Sequence, residues 1–516
     1  LLTGLSGGLD YLVRYPYGCL EQTTSSTWPL LVMRDHVDEL GLYTTPEALD
    51  MMAQQGVARV LSMQTSDGGL AYWPSHRDAH PFGSAYAALA LAEARDKGLA
   101  VPPSALQQLA HYLGEQLADS SAADGGDSEP GDSPNDAPHD SDQASAFDPL
   151  HQAMTLYALA RLGQPIGDGF VPLLKRVESL ETAPLALTIL ALHRSPSQAK
   201  HLAKLVDRLE RHFQHDQGRV NLPRGETHHH PSSFGSPDRT LAFALLALAQ
   251  VRPESPFTVP LARTLMGRFS HGRWSDTQAT LWGLMAMVQY ARHVEAHDRS
   301  SLNAQVTLGG RPLLLVQGSS SHTAVARWTI AEAIDHPRLT LRPHSGGGAL
   351  YYTLTSRSLR ALAADDLQPI SNGMTLHRVY LDGAGNPFKG SVPAGSVVQV
   401  MLMLHNPSKA TYVALDDVLP AGLEPIDPNL AITGRKHHRV ALPYGVRDGA
   451  WAFNHVELHD DRVTMFADLL EPGVYRLMYR ARATTLGEFV APAARVHPMY
   501  QPDVYGRTAT SVMEIR

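Results

Sequence analysis

Apolar residues recur at three- and four-residue steps from about residue 23 to residue 293, which is the spacing of one helical face. The stretch from Leu49 to Leu61 shows this spacing, and Thr45 before it can cap a helix whose first position suits Pro46. The same signal of a capping residue followed by proline recurs at Asp148-Pro149, Ser195-Pro196 and Ser236-Pro237. The pattern therefore predicts a long succession of helices.

The predicted helices are of two kinds. Some, such as Ala183 to Leu192 and Leu241 to Ala249, are apolar nearly all round and are expected to be buried on most sides. Others, such as Ser104 to Leu117 and Gln198 to Phe213, have one polar face. Because the two kinds alternate, we predict stacked helical hairpins, and an inner and an outer ring of helices would satisfy this pattern.

Beyond about residue 300 the periodicity changes to that of β-strands. Short β-rich stretches separated by Gly, Ser and His clusters predict strands at Leu302 to Leu308, Pro312 to Gln317, Thr323 to Thr329 and Ala349 to Thr355. From about Asn372 onward, period-two alternation predicts half-buried antiparallel strands of a β-sandwich. These strands are Val397 to His405, Thr411 to Asp417, Arg462 to Asp468, Gly473 to Ala483 and Thr508 to Ile515.

The composition indicates an acidic insertion and gives no support for nucleic acid or membrane partners. The stretch from about 118 to 147 is rich in Asp, Ser, Gly, Pro and Ala, and we expect a flexible surface insertion because it offers too little apolar surface to bury. The formal net charge of −8 comes from this stretch and its flanks, and the rest of the chain is close to neutral. Charge therefore gives no reason to expect nucleic acid or an anionic membrane surface as a partner.

The single cysteine carries the candidate chemistry. Cys19 is followed three positions later by Gln22, and residues three apart in a helical or tight-turn segment have Cβ atoms roughly 5–6 Å apart. The sulfur can then attack the side-chain amide carbon, expel ammonia and leave an internal thioester. A lone cysteine is more often a small buried hydrophobe, so the spacing by itself is weak evidence.

The longer string from Tyr15 to Thr24, Tyr-Pro-Tyr-Gly-Cys-Leu-Glu-Gln-Thr-Thr, closely resembles the thioester motif of the bacterial alpha-2-macroglobulin family. Further similarity extends over essentially the whole chain. It is seen at Ser275 to Thr280, Asp417 to Glu424, Tyr475 to Phe489, Met499 to Pro502 and Tyr505 to Arg507.

The resemblance implies a multidomain α plus β fold. It places an α/α toroid thioester domain at 1–298, the returning half of a CUB-type β domain at 299–370, and a macroglobulin-like β-sandwich at 371–516. The chain then resembles a C-terminal fragment of such a protein, because the leading half of the CUB-type domain would precede Leu1. A periplasmic location, a parent anchored to the inner membrane and a monomeric state are expected from the same source.

The resemblance also implies a function and a set of site residues. We expect a single-use covalent trap for proteases, in which a lysine amine of the protease attacks the thioester between Cys19 and Gln22, and small amines such as methylamine react in the same way. Such a trap is an inhibitor and not an enzyme, and it needs no cofactor or metal. Tyr15, Met499 and Tyr500 are expected to shield the thioester from water, and Tyr17, Gly18 and Glu21 support the motif.

Two other functions stay open at this level. An α/α toroid can be an enzyme, either a cyclase-like protein or a hydrolase with a cysteine nucleophile and a histidine base. Alternatively, the chain is a non-covalent binding module that has lost the thioester. Among the histidines, His139 is the nearest candidate for a residue that would switch the thioester toward hydroxyl groups, and it lies in the acidic insertion. The adjacent histidines 228–230 point different ways in a polar loop, so no metal site is expected there.

Overall fold

The computed structural model describes residues 2–15, 17–37, 44–74, 76–123, 148–195, 200–226, 234–294, 302–318, 338–345, 367–388, 390–427 and 445–516, with the single positions 329, 354, 356, 359 and 361. The chain forms two compact units, Leu1–Thr355 and Ser356–Arg516. The first unit is mainly helical and the second is built of β-strands. The finer division into three domains at 298 and 370 stays a prediction.

The described residues of the first unit contain twelve α-helices. They are α1 Ser6–Val13, α2 Leu20–Met33, α3 Pro46–Leu61, α4 Pro81–Asp96, α5 Pro103–Ala123, α6 Pro149–Leu162, α7 Val171–Lys175, α8 Thr182–His193, α9 Leu202–Arg211, α10 Pro237–Val251, α11 Thr258–Arg268 and α12 Thr277–His293.

The even-numbered helices form a closed ring. Each of α2, α4, α6, α8 and α10 packs against the next even-numbered helix, and α12 packs back against α2. The odd-numbered helices lie outside this ring, where α3 contacts α2, α5 contacts α4 and α6, and α11 contacts α10 and α12. The inner helices are buried almost all round, whereas α9 buries only its apolar face. The predicted two rings of helices are confirmed.

Local sequence explains where several helices begin. The side chains of Thr45, Asp148 and Ser236 accept hydrogen bonds from backbone N–H groups in the first turns of α3, α6 and α10, and proline follows each of them. These caps agree with the sequence predictions. The capping pair at Ser195 cannot be compared, because residues 196–199 lie outside the described ranges.

Close approach of two helices depends on one glycine. A Cβ atom built at Gly56 in α3 would lie 1.9 Å from the Oγ1 atom of Thr27 in α2. Only a residue without a side chain therefore lets α3 pack this closely on the helix that begins at Cys19.

The first unit also contains small sheets. The strands β1 (Gln214–Asp216) and β2 (Arg219–Asn221) form an antiparallel hairpin between α9 and α10 that the sequence analysis missed. A three-stranded antiparallel sheet has the order β4 (Arg311–Gly318), β3 (Leu302–Leu308) and β5 (Leu339–Ser345). The predicted strands at 323–329 and 349–355, and most of the predicted acidic insertion, fall almost entirely outside the described residues.

The second unit is a β-sandwich of two main sheets. One sheet has the order β10 (Leu423–Pro425), β14 (Gly473–Ala483), β8 (Val397–Asn406) and β7 (Thr375–Leu381), with β11 (Val446–Asp448) parallel to β14. The other has the order β12 (His455–Leu458), β13 (Arg462–Leu470), β9 (Ala410–Val418), β16 (Arg495–Pro498), β17 (Tyr505–Arg507) and β6 (Ile370–Asn372). The strands β15 (Gly487–Ala491) and β18 (Ser511–Ile515) pair separately.

The sandwich core follows the predicted alternation. Val398, Val400, Leu402 and Leu404 of β8 are fully buried, while the residues between them are partly exposed. Leu402 and Leu404 pack with the opposite sheet in an apolar cluster that includes Val413, Leu415, Val463 and Val496, and Val398 and Val400 belong to a second cluster with Leu419 and Leu423. Within the described residues, no helix is both long and apolar enough to cross a membrane.

Candidate functional site

The Cys-x-x-Gln sequence lies at the start of the inner helix α2. Cys19 is the N-cap residue, with extended backbone angles, and Gln22 is the third residue of the helix. The backbone N–H of Gln22 donates a hydrogen bond to the Cys19 sulfur at 3.5 Å. The Cys19 side chain therefore caps the first turn by accepting the backbone N–H three residues later, which is one half of a capping box. The predicted proximity of Cys19 and Gln22 thus follows from helix-start geometry.

Both side chains are removed from water. Cys19 is fully buried and Gln22 is 2% exposed. Burial raises the pKa of the Cys19 thiol well above its ordinary value, and the Glu21 carboxylate raises it further. Hydrogen bonds from Tyr72 and from the backbone N–H groups of Gln22 and Glu21 act in the opposite direction. At neutral pH the free sulfur is therefore a thiol.

Tyr72 contacts the site from the connection between α3 and α4. Its side chain hydrogen-bonds the Cys19 sulfur, and its carbonyl oxygen accepts the N–H of Leu20 at 2.8 Å. The Tyr72 ring stacks on Phe234, with the ring centroids 5.9 Å apart, and lies 5.3 Å from the His80 ring. Tyr72 is thus fixed at both its backbone and its ring. The sequence analysis did not single out Tyr72.

Glu21 ties the first inner helix to the last. Its carboxylate accepts hydrogen bonds from the Thr277 hydroxyl at 2.9 and 3.0 Å and from the Gln278 amide at 3.3 Å. The Ser25 hydroxyl donates to the same carboxylate at 2.6 Å and is 2.7 Å from the Tyr86 hydroxyl. Glu21 is fully buried, so these neutral donors replace its hydration shell.

The first turns of several inner helices meet near this cluster. The Ser236 and Ser275 hydroxyl oxygens are 3.2 Å apart, and Asp276, which caps α12, accepts a hydrogen bond from the Ser275 hydroxyl at 2.9 Å. Burial raises the pKa of Asp276. Arg239 of α10 is also buried, its guanidinium lies over the ring of Phe82 in α4, and burial lowers its pKa to about 10. The site therefore lies where α2, α4, α10 and α12 begin.

His80 is buried next to Tyr72, but its contacts are those of a capping residue. Its Nδ1 atom accepts the N–H of Gly83 at 2.9 Å, which places the ring proton on Nε2. Burial lowers the pKa of His80 to about 4. A neutral ring with its acceptor nitrogen already occupied is poorly suited to remove a proton from Cys19.

Tyr15 lies within electrostatic reach of the cysteine. Its ring packs edge-on against Tyr11 and Tyr17, with centroid distances of 5.5 and 5.6 Å. Burial raises the pKa of the Tyr15 phenol, and charges on Tyr11, Tyr17, Glu21 and Cys19 raise it further. Its role as a shield stays a prediction.

Gly18 is constrained by space. Its backbone lies outside the left-handed region, and a Cβ atom there would be 3.0 Å from the Nη2 atom of Arg59. The same nitrogen donates to the Gly18 carbonyl oxygen at 3.4 Å.

The remaining predicted shield residues belong to the second unit. The N–H of Met499 donates to the Tyr412 carbonyl oxygen at 2.9 Å, and the Tyr500 ring packs edge-on against Tyr412 at 5.6 Å. Their role over the thioester stays a prediction. His139 and residues 228–230 lie outside the described ranges, and the part of the chain that the structure describes has no group of three His, Cys, Asp or Glu residues able to hold a metal ion.

Known proteins match both units of the chain. The A-macroglobulin TED domain profile matches residues 3–130, and the profile of the bacterial alpha-2-macroglobulin MG10 domain matches residues 373–503. An alpha-2-macroglobulin homolog from Nostoc sp. is 24% identical over 89% of the chain and 23% of its own length. Alpha-2-macroglobulins from Xylella fastidiosa and Escherichia coli K12 are each 25% identical over 96% and 95% of the chain, and over 29% and 28% of their own lengths.

Solved structures share the fold. The native E. coli alpha-2-macroglobulin from domain MG7 to the C-terminus superimposes with a TM-score of 0.70 at 21% identity, covering 99% of this chain and 75% of that one. The Salmonella alpha-2-macroglobulin reacted with methylamine gives 0.73 at 22% identity, covering 99% of this chain and 31% of that one. The chain spans about a quarter of the length of the curated relatives named above. With the motif from Tyr15 to Thr24 and the ring of helices, these matches show that the chain belongs to the bacterial alpha-2-macroglobulin family.

Proposed function

We propose that the chain is a covalent protease trap that works through an internal thioester between Cys19 and Gln22. The observation that carries the proposal is the buried capping geometry, in which the Gln22 N–H is bonded to the Cys19 sulfur at the first turn of α2. Thioester formation joins the sulfur to the Gln22 side-chain carbonyl carbon and releases ammonia. A thioester is a better acyl donor than an amide, because sulfur donates little electron density to the carbonyl group.

The trapping step is an acyl transfer. A lysine amine of a captured protease attacks the Gln22 acyl carbon, the carbon–sulfur bond breaks, and the protease is left joined to the Gln22 side chain by an amide bond. The rate gain comes from proximity, because a protease held nearby presents its amines at high effective concentration. Each chain reacts once, so the proposed activity is inhibition and not turnover. The Salmonella relative, whose structure is described as reacted with methylamine, supports the choice of methylamine as a probe.

The electrostatics of the site are unfavourable for a cysteine hydrolase. Cysteine nucleophiles of enzymes have lowered pKa values and a histidine base, whereas burial raises the pKa of Cys19 and the nearby His80 is a capping residue with an occupied Nδ1. A stored thioester has the opposite requirement, because its sulfur is held in a covalent bond and is kept from water. The complete burial of Cys19 and its raised thiol pKa suit storage.

Intact mass measurement with a methylamine challenge tests the proposal. We expect the fresh protein to lack the mass of one ammonia and to show no titratable thiol. Methylamine should add its mass at Gln22 and release one thiol. Cys19→Ala is expected to abolish the mass deficit, the methylamine adduct and the thiol release, while Gln152→Glu, a change at another buried glutamine of an inner helix, should leave all three unchanged. Full mass with a free thiol in fresh wild-type protein would leave the binding-module interpretation.

The shield is a separate part of the proposal. We propose that water is kept from the thioester by Tyr15, Met499 and Tyr500. We expect Tyr15→Gly to speed spontaneous hydrolysis of the thioester, and the release of the thiol over time measures this rate. An unchanged lifetime in Tyr15→Gly would remove Tyr15 from the shield without affecting the thioester itself. A periplasmic location and a membrane-anchored parent are proposals that the family membership suggests.

A further inference from the structure

The sulfur of Cys19 lies among hydrogen-bond donors. The backbone N–H groups of Glu21 and Gln22 donate from the first turn of α2, and the Tyr72 side chain hydrogen-bonds the sulfur from the connection before α4. Among charged side chains, the Glu21 carboxylate has the largest effect on Cys19, and it opposes negative charge on the sulfur. The donors therefore provide the stabilisation that a buried thiolate would need.

Such stabilisation matters at one step of the proposed reaction. When an amine attacks the Gln22 acyl carbon, the electron pair of the carbon–sulfur bond moves onto the sulfur. Cys19 is fully buried, so water does not solvate this developing charge. A fixed donor that is already aimed at the sulfur lowers the barrier without reorganisation at the moment of reaction.

We propose that Tyr72 is a catalytic residue of the acyl transfer, whose hydroxyl donates a hydrogen bond to the Cys19 sulfur as the carbon–sulfur bond breaks. This inference rests on the proposed function. The incoming amine nitrogen forms a bond to the acyl carbon and loses one proton, the sulfur leaves with the bonding electron pair, and one proton ends on the sulfur. The Tyr72 hydroxyl keeps its own proton over the complete reaction.

The surroundings of Tyr72 are those of a preorganised donor. The Leu20 N–H holds the Tyr72 carbonyl at 2.8 Å, directly beside Cys19. Phe234 stacks on one side of the ring, and Trp73 packs edge-on with its centroid 5.3 Å away. Two further backbone hydrogen bonds fix this connection, from Ala71 N–H to the Met63 carbonyl and from His80 N–H to the Leu70 carbonyl, both at 2.8 Å. The backbone and the ring that carry this hydroxyl are therefore held in place near Cys19.

A shielding role for Tyr72 predicts the opposite experimental result. If the ring only covered the thioester, Tyr72→Phe would keep the cover and leave the reaction rate unchanged. If the hydroxyl assists the leaving sulfur, Tyr72→Phe removes the donor and slows the reaction. Because every nucleophile expels the same sulfur, the slowing should have a similar factor for water, methylamine and a bulkier amine such as butylamine.

The experiment compares wild type and Tyr72→Phe in the 516-residue chain. Thiol release is followed after addition of methylamine, after addition of butylamine, and in buffer alone. We expect Tyr72→Phe to form the thioester, shown by the mass deficit of one ammonia, and to react about tenfold more slowly with all three nucleophiles, as for loss of a hydrogen bond to a charged group. Tyr157→Phe, another buried tyrosine on α6, is the matched control and should react like wild type.

A second measurement does not depend on the acyl transfer. In methylamine-treated protein, iodoacetamide should alkylate the released Cys19 thiol more slowly in Tyr72→Phe than in wild type at one fixed pH, because the thiolate has lost a donor. An unchanged or faster amine reaction in a Tyr72→Phe protein that carries the thioester would overturn the inference. A wild-type chain with a free thiol and full mass would overturn the proposed function instead, so the two failures are distinguishable.

Discussion

The helical ring and the β-sandwich each bury a carboxylate, but they satisfy it differently. In the ring, Glu21 accepts hydrogen bonds from the neutral side chains of Ser25, Thr277 and Gln278. In the sandwich, Asp417 of β9 pairs with the guanidinium of Arg378 in β7, and the Tyr479 hydroxyl donates to it at 2.7 Å. In the ring, the hydrogen-bond donors to Glu21 are uncharged and the buried Arg239 guanidinium acts on it electrostatically, whereas in the sandwich a guanidinium bonds its carboxylate directly.

The difference indicates what each buried carboxylate does. Arg378 also donates to the Pro492 carbonyl oxygen at 2.6 Å, so its ion pair with Asp417 links the two sheets and the segment that follows β15. Burial is the main cause of the raised pKa of the Cys19 thiol, and Glu21, two residues away in the chain, raises it further. The sandwich carboxylate holds a fold together, while the ring carboxylate both closes the ring and sets the chemistry of its neighbour.

The largest effect is expected for removal of the sandwich carboxylate. Asp417→Ala leaves the Arg378 guanidinium buried without a counter-charge, and we expect a loss of about 3–5 kcal/mol in stability. Hydrogen exchange with mass spectrometry should show faster exchange in β7, β8 and β9, with the ring peptides as an internal reference. The double variant Arg378→Met/Asp417→Leu removes both charges and should recover most of the loss. Equal exchange in wild type and Asp417→Ala would show that the pair does not hold the sheets.

A smaller loss is expected in the ring for Glu21→Gln. The substitution keeps the shape of the side chain but replaces one acceptor oxygen by an NH2 group that faces other donors. We therefore expect a loss of about 1–3 kcal/mol in stability, with faster hydrogen exchange in α2 and α12. In methylamine-treated protein, the pKa of the released Cys19 thiol should fall, because the neighbouring negative charge is gone.

Glu115→Gln supplies the matched control for this substitution. Glu115 is an exposed glutamate on α5, and its side chain is 60% exposed. We expect its replacement to change neither the exchange of α2 and α12 nor the titration of Cys19. An unchanged thiol pKa in Glu21→Gln would separate ring closure from the chemistry of the cysteine.

Acid sensitivity should be the smallest effect and should be shared by both units. Burial lowers the pKa of His80 in the ring and of His497 in the sandwich to about 4. In the unfolded chain both histidines take up a proton near the ordinary histidine pKa, whereas in the folded chain they do so only near pH 4. The stability that the two neutral histidines contribute is therefore present at neutral pH and is lost as the pH falls from about 6.5 to about 4. At pH 5.5 we expect a loss of about 1 kcal/mol for each histidine.

The acid effect can be checked by pulse proteolysis in urea at neutral and acidic pH. His80→Asn keeps a capping acceptor and should remove the ring's share of the pH dependence, and His497→Gln should do the same for the sandwich. Stability that is equally pH-dependent in wild type and both variants would place the acid sensitivity elsewhere.

The sequence was sufficient for features that depend on neighbours along the chain. Thr45, Asp148 and Ser236 were predicted as caps because a cap, a proline and an apolar face lie within one turn of helix. The meeting of Cys19 and Gln22 was predictable for the same reason, since both belong to the first turn of α2. The alternation in β8 likewise specified which face is buried.

Features that depend on closure of the ring could not be predicted from the sequence. Thr277 is 256 residues from Glu21, and only the packing of α12 on α2 brings the two together. Tyr72 was not identified from the sequence, because its approach to Cys19 depends on how the connection between α3 and α4 folds back toward the start of α2. A resemblance to a family locates the pair proposed to react, but the donors around it come from the three-dimensional arrangement.

The capping geometry of α2 has a consequence for the spent protein. Hydrolysis would convert Gln22 into a glutamate at the third helical position, and a carboxylate there is favoured by the positive end of the helix. The helix start is therefore as well satisfied after discharge as before it. If the proposed thioester forms, its hydrolysis adds one water, leaving a carboxylate at position 22 and a thiol at Cys19, and keeps this helix start, so we expect ageing of a preparation to be visible in its mass and thiol content and not in its circular dichroism.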